Sequence, residues 1–347
     1  MLAFAGSISQ HAPRSQAQTR RDGRKHIMMV RRRNVALTMA GVLAAPGMAR
    51  AIWPDRPIQV MCPGPAGGGM DVYARAVIPF VAPRLGNANM VVINRPAASG
   101  QFAFESVALA EPDGYTIGVA QTPNLVTLPI ERQVRYQVKD LTFIANIVED
   151  PGGLFVRADS PLRDLAALIA AAKAKPGQMA IGTAGIGTDD HLLILALQQA
   201  TGTSFSHVPY AGTPPIVNGV MAGDIAVGSF NVSEGIGLVR QGTLRLLGQG
   251  GAARWEGAAE VPTFRDQGVE VVAGSVRGVI APPGLPDALR DRFRAAFAEA
   301  LADPAWIREA ARLSLPLRVM SGEEQRRVFL EDDVKLRALW QRKPWRE

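Results

Sequence analysis

The sequence predicts an α/β fold built on a mainly parallel sheet and divided between two domains. Three observations carry this reading. Short apolar or alternating runs recur at 58–62, 90–93, 115–120, 143–148, 154–156, 179–182, 205–208, 225–230, 244–247 and 269–272, with helix-length stretches such as 162–174 and 191–201 between them. Parallel neighbours need a crossover of helical length, so this alternation points to a parallel sheet. The chain has 347 residues, a length that fits two domains of ordinary size. Hydrophobic residues make up 47% and charged residues 20%, enough for a packed core, while no apolar run reaches the roughly 18 residues of a spanning helix.

The chain opens on a segment that reads as an export leader. Arg31, Arg32 and Arg33 precede an apolar stretch at 35–45 and a small-residue exit at Ala49-Arg50-Ala51, the order of a secretory signal cleaved after Ala51. Eleven apolar residues are too few to span a bilayer as a helix, which places the mature protein free in the periplasm. The basic pair fits the general secretory route and the twin-arginine route alike. Residues 1–27 are polar and lie upstream of Met28 and Met29, each a candidate true start. The leader also explains the charge. Of the net +7, residues 1–51 hold nine basic residues against one acidic, and the remainder holds 29 basic against 30 acidic. A basic surface for nucleic acid is thereby excluded.

The first strand, 58–62, runs into Pro63-Gly-Pro-Ala-Gly-Gly-Gly-Met-Asp71 and then a helical segment that Pro79 bends or ends early. Strand, glycines and helix N-terminus are the ingredients of an anion cradle, because the first turn of a helix offers unpaired N–H groups and the positive end of its dipole. A tight turn alone would use the same glycines. A nucleotide loop is excluded: no G-x-x-x-x-G-K-[ST] or G-x-G-x-x-G is present, and Val72 stands where the third dinucleotide-binding glycine would. Cys62, the one cysteine, reads as a small buried hydrophobe and leaves no intramolecular disulfide to form.

A second loop of the same kind lies at 182–191 between a strand and a helix, with Thr183, Thr188 and Asp189 as hydroxyl donors or caps. Two cradles in two α/β units point to a ligand pinched between domains. Asp189, Asp190 and His191 are contiguous and point different ways, so they make neither a metal site nor a general base. His207 reads as a structural histidine. Asn231 closes the 225–230 strand at its carboxyl end, where open α/β sheets bind ligands. No G-x-S-x-G elbow occurs, and with two histidines after residue 51 no metal site is expected. The last quarter, 287–301, 304–313 and 322–339, has helical spacing, with a capping box at Ser321-Gly-Glu-Glu324. Such a tail needs a host to pack on.

Assembled, these residues resemble the extracytoplasmic solute receptors of the tripartite tricarboxylate transporter family, the Bug-type binding proteins. The landmarks are Trp53-Pro-Asp-Arg-Pro-Ile58, the 63–71 loop, Asn94-Arg-Pro96, Pro112-Asp-Gly-Tyr-Thr116, the 182–191 loop, His207-Val-Pro-Tyr210, Ala222-Gly-Asp224, Gly242-Thr-Leu-Arg245 and Val261-Pro-Thr263. Together they run from Trp53 to about Leu339.

The resemblance implies a periplasmic binding-protein type II fold, two α/β lobes joined by two crossing segments over a ligand cleft. It implies lobe 1 at 52–155 plus 279–347, hosting the helical tail, and lobe 2 at 156–278. It also implies a ligand carboxylate held by Pro65, Ala66, Gly67, Gly68 and Asp71 from the first lobe and by Thr183, Ala184, Gly185, Gly187, Thr188 and His191 from the second. Gln121, Thr122 and Asn231 would border the ligand's distal end, and Asp71 would brace its loop rather than touch an anion. Four departures mark where specificity could differ: Met70 where Thr or Ser is usual, Gly64 where an aromatic often sits, Ala97-Ala-Ser-Gly100 in place of a richer glycine run, and Pro79 in the first helix. The implied function is capture of a small organic carboxylate by a monomer without cofactor, metal or catalysis, and delivery to membrane permease subunits. The alternative is an extracytoplasmic sensor that presents the bound carboxylate to a membrane sensor kinase.

Overall fold

The computed structural model describes residues 53–346. The export signal, its cleavage after Ala51 and the candidate starts Met28 and Met29 lie outside these residues. In chain order the first stretch comprises β1 (Ile58–Cys62), α1 (Gly69–Val81), β2 (Met90–Asn94), α2 (Gln101–Ala108), β3 (Thr116–Gln121), α3 (Asn124–Glu131) and β4 (Thr142–Arg157). The second comprises α4 (Leu165–Ala174), β5 (Ala180–Thr183), α5 (Asp189–Thr201), β6 (Ser206–Pro209), α6 (Thr213–Ala222), β7 (Val227–Asn231), α7 (Val232–Arg240) and β8 (Leu244–Gln249). The third comprises β9 (Gly274–Ala281), α8 (Asp287–Leu301), α9 (Pro304–Arg312), β10 (Leu317–Ser321) and α10 (Gly322–Arg342). No helix among the described residues is long and apolar enough to cross a membrane.

The strands lie in the order β2-β1-β3-β9-β4-β7-β5-β6, with β8 and β10 also on β4. β1 pairs in parallel with β2 and β3, and β5 in parallel with β6 and β7, each step crossing over through a helix. The centre is different. β4 is antiparallel to β7, β8, β9 and β10, and β3 is antiparallel to β9, so the sheet is mixed rather than mainly parallel. The strands 143–148 and 154–156 expected separately are the two halves of β4. Residues 142–151 pair with β9, and 152–157 pair with β7 and β8. Pro151, Gly152 and Gly153 are residue types common in turns, yet Pro151 stays in register with Gly274. Gly153 has no room for a side chain, since a Cβ there would lie 2.7 Å from the Phe155 ring.

The apolar run 269–272 is not a strand; β9 begins at Gly274. Val269 and Val271 instead fill the second lobe as irregular chain, held by Val269 N–H to Phe264 O at 2.9 Å and Ala273 N–H to Gly250 O at 2.9 Å. Buried apolar side chains fall into two sets. Two clusters draw on residues 58–148 and 276–329, including Tyr73, Phe104, Phe143, Phe293, Phe297, Trp306 and Phe329. Two others draw on residues 154–271, including Leu154, Phe155, Leu193, Phe230 and Phe264. β4 and β9 are the segments that pass between the sets, which makes a cleft flanked by two α/β lobes. The helical tail packs on the first set: α8 against α1 and β4, and α10 against β4 and α3. The capping box forms at Ser321 and Glu324 as the sequence predicts, and α1 ends at Val81, two residues past Pro79.

Candidate functional site

The first loop joins β1 to α1. Asp71 braces it from within the helix: Oδ2 accepts the Gly67 N–H at 3.0 Å, and Oδ1 accepts from Arg75 Nε at 2.8 Å and Asn94 Nδ2 at 2.9 Å. Burial raises the pKa of this carboxyl, but the donors outweigh burial and hold it below its ordinary value. Gly68 N–H donates to Pro65 O at 3.1 Å. The N–H groups of Gly69 and Met70, in the first turn of α1, have no acceptor among the described residues. Cys62 behind the loop is fully buried, and burial pushes its thiol up to about 11, so it packs as a hydrophobe.

The second loop joins β5 to α5 and is tied by its own side chains. Thr188 caps the helix, its Oγ1 accepting the His191 N–H at 3.3 Å and donating to Gly185 O at 2.8 Å. Thr183 Oγ1 accepts the Gly185 N–H at 3.3 Å and lies 2.7 Å from His207 Nε2. Gly187 N–H donates to His191 Nδ1 at 3.2 Å, which leaves the imidazole proton on Nε2. The His191 and His207 rings stack at 4.2 Å, and burial, then His207, push His191 down to about 3. His191 is therefore neutral and structural. In this loop the N–H groups of Ile186 and Asp190 have no acceptor among the described residues, and that of Asp189 meets only its own carboxyl.

The two loops face one cavity of about 380 Å³. Of the site residues read from sequence, Pro65, Gly68, Gln121, Ala184, Gly185 and Asn231 line it. Asp71, Thr183, Gly187, Thr188 and His191 stand behind the loops in the networks just described, while Ala66 and Gly67 are exposed on the outer face of the first loop. Thr122 lines a separate cavity of about 1190 Å³ that also touches Asp150 and Asp332.

The cleft is closed. Thr127 Oγ1 in α3 donates to Gly187 O at 2.8 Å. Gly187 is needed because a Cβ there would fall 1.9 Å from Glu131 Oε1 and its φ is +74°. Pro65 also packs on Gly212, with 2.7 Å to a Cβ. Glu131 is in turn held from behind, accepting from the Trp345 indole Nε1 and from Arg132 Nη2 at 3.0 Å.

The cavity floor is a buried charge network that sequence reasoning did not assemble. Arg277 of β9 is 1% exposed. Its Nη2 donates to Glu234 Oε1 at 2.9 Å and to Asn231 Oδ1, and its Nη1 lies 3.3 Å from Asp150 Oδ2. Asp150 also accepts the Ser233 N–H at 3.2 Å, and Asn231 Nδ2 donates to Asp189 Oδ2 at 2.8 Å. Burial pushes Asp150 up to about 6 against the pull of Arg277, and raises Asp189 and Asp190 too. The available signal was Arg277 itself, a lone charge in the apolar run 271–281. A buried arginine requires carboxylate partners from elsewhere in the chain.

The remaining wall is strained. Ala98 and Ser99, both lining the cavity, have φ of 55° and 58°, the left-handed region that favours glycine. Ala98→Gly should therefore raise stability by about 1 kcal/mol. Urea denaturation checks this, and a loss of stability would show the loop to be unstrained.

A closed cleft between two α/β lobes, floored by the crossing strands and flanked by two helix N-termini, defines a solute-binding receptor of the periplasmic binding-protein kind. The sequence matches the family described as Tripartite tricarboxylate transporter family receptor over residues 73–342, and the chain belongs to that family. It is 31% identical over 306 residues to Protein BugT of Bordetella pertussis, covering 87% of this chain and 92% of that protein. Among solved structures it is similar to one described as a periplasmic transporter, at 28% identity and a TM-score of 0.80 over 85% of this chain and 99% of that one. A TctC solute-binding protein from Polaromonas is similar at 29% identity and a TM-score of 0.65, over 84% and 99%. An adipate-bound and a malate-bound protein of Rhodopseudomonas palustris share the fold at 24% and 23% identity, with TM-scores of 0.78 and 0.76 over 83% and 82% of this chain and 97% and 99% of theirs.

Proposed function

We propose that this protein is a periplasmic receptor that closes on a small organic carboxylate and delivers it, without chemistry, to the membrane permease subunits of a tripartite transporter. The observation that carries the reading is the pair of helix N-termini, whose unpaired N–H groups, those of Gly69 and Met70 and those of Ile186 and Asp190, belong to one cavity between the lobes. The R. palustris proteins of the same fold hold dicarboxylates, adipate and malate. In this reading the chain is exported by a cleavable signal and acts as a monomer. Lobe 1 is 52–155 plus 279–347 and lobe 2 is 156–278, with β4 and β9 as the hinge. Pro65, Gly68, Ala184 and Gly185 border the carboxylate, and Gln121 and Asn231 border the rest of the ligand. Asp71, Thr183, Gly187, Thr188 and His191 keep the two cradles in shape, Ala66 and Gly67 complete the turn of the first, and Thr122 follows Gln121 at the edge.

The test is a thermal-shift screen of residues 52–347 against organic acids and the matching alcohols and amides that lack any carboxylate. A binding acid at a hundredfold its Kd should raise the melting temperature by about 5 °C. The matching neutral compounds should not. Gly185→Val, which places a side chain at φ +128° with Ser99 Oγ 3.2 Å from its Cβ, should remove the shift. A shift from neutral compounds alone would overturn the carboxylate reading.

A further inference from the structure

The cavity lining holds four buried polar atoms without a hydrogen-bond partner: Arg132 Nε, Arg277 Nη1, Asn124 Oδ1 and Asp190 Oδ1. Buried polar groups are normally satisfied, so this set describes what an occupant must supply. Arg132 and Arg277 can only donate. Asp190 is 3% exposed, burial pushes its carboxyl well up, and its Oδ2 accepts the Ala184 N–H at 3.2 Å, so the acid proton sits on Oδ1 and makes a third donor. The Asn124 side chain makes no hydrogen bond through either end of its amide among the described residues, and a half turn exchanges Oδ1 for Nδ2. The lining therefore calls for acceptors on the ligand.

The two arginines, the only cationic side chains of the lining among the described residues, differ in how far the protein already answers their charge. Arg277 stands at the start of α1, its Nη1 2.6 Å from where a Cβ on Gly69 would lie, and is engaged by Glu234 at 2.9 Å, Asp150 at 3.3 Å and Asn231. Arg132, directly after α3, donates once, through Nη2 to Glu131 Oε2 at 3.0 Å. Its Nε and Nη1 have no acceptor among the described residues, and its side chain is 24% exposed. The buried Glu131 carboxylate also accepts from the Trp345 indole, and Arg346 Nε lies 3.9 Å from it. Two guanidinium groups thus share one carboxylate, which leaves positive charge at the cavity wall. The end of α3 that carries Arg132 lies against the second loop: Thr127 donates to Gly187 O at 2.8 Å, and a Cβ on Gly187 would meet Glu131 Oε1 at 1.9 Å. Gly185 and Ile186 of that loop line the same cavity as Arg132.

We propose that Arg132 is the ligand-contacting cation of this receptor: its guanidinium, on one lobe, donates to the carboxylate that the start of α5 holds from the other, so the bound anion ties the lobes together. This rests on the carboxylate reading above and names the side chain that decides it. The experiment is calorimetric titration of residues 52–347 with succinate, malate, glutarate, adipate and benzoate. For the acid that binds most tightly, Arg132→Gln should weaken binding about thirtyfold, because a charge-assisted hydrogen bond is lost. Its melting temperature without acid should stay within about 2 °C of wild type. Arg132→Lys keeps the charge without the planar fork and should weaken binding about fivefold. Arg346→Gln removes the neighbouring charge, which is absent from the lining, and should change affinity by less than about threefold. A change below about threefold in Arg132→Gln overturns the inference and leaves carboxylate capture standing. An equal loss in Arg346→Gln overturns it too, since the field around Glu131 would then suffice without contact. If Arg132→Gln does not fold, Arg132→Lys decides, and wild-type affinity there overturns the contact. Binding by none of the five acids overturns the carboxylate reading and this inference together.

Discussion

Arg277→Met should cost about 3–5 kcal/mol of stability, because it leaves the carboxyls of Asp150 and Glu234 buried without their cation. Asp150 is fully buried and the Glu234 side chain is 10% exposed, so water cannot take over the role of the guanidinium. The loss should depend on pH in a definite direction. Asp150 sits at about 6 even with Arg277 beside it, and removing the cation raises it further. A carboxyl whose folded pKa is raised contributes stability that is complete below its unfolded value and is lost as pH rises through the folded one. The deficit of the variant should therefore shrink between pH 7.5 and pH 5.5. Urea denaturation at both values measures it, and a loss below about 1 kcal/mol at pH 7.5 would show that the acids are held neutral without Arg277. Arg277→Lys keeps the charge but not the planar fork that reaches Asn231, Glu234 and Asp150 together, and should fall between the two.

A second large effect concerns acid. His191 is pushed down to about 3 from an ordinary 6.5, by burial first and His207 next. A group with a depressed folded pKa contributes stability that is present above the unfolded value and is lost as pH falls toward the folded one. The window is pH 6.5 down to about 3, and the loss reaches about 2 kcal/mol by pH 5. Asp150 acts with the opposite sign over part of this range, so the comparison must be between proteins and not along one curve. His191→Asn keeps an acceptor for the Gly187 N–H and cannot protonate. Relative to this variant, wild type should lose about 2 kcal/mol between pH 7.5 and pH 5, measured by urea denaturation at each pH. Parallel curves would show that His191 is not buried neutral.

Both cradles were legible in the sequence because each is a local pattern: a strand, a glycine cluster and a helix start within about ten residues. The capping box at Ser321 and the end of α1 beyond Pro79 were legible for the same reason. The central strand was not. Pro151-Gly152-Gly153 carries turn signals, and the packing of Phe155 and Leu246 that excludes side chains there is visible only in three dimensions. The run 269–272 misled in the opposite way, since burial in a core gives irregular chain the same apolar letters as a strand. The floor of the site was the least legible part. Asp150, Glu234 and Arg277 lie on β4, α7 and β9, each ordinary in its own segment, and their meaning arises only where the three segments meet. Thr188 and His191 were legible as residues of the second loop, but their orientation, inward to the loop and away from the cavity, was not.

The contact between Trp345 and Glu131 should make closure optically visible. Trp345 is 3% exposed, its ring meets that of Trp340 at 4.6 Å, and its indole N–H rests on the carboxylate that abuts Gly187 of the opposite lobe. Opening the cleft withdraws Gly187 and admits water to that carboxylate. The emission of one native fluorophore would then change with the distance between lobes, with no dye attached and no ligand needing to absorb light.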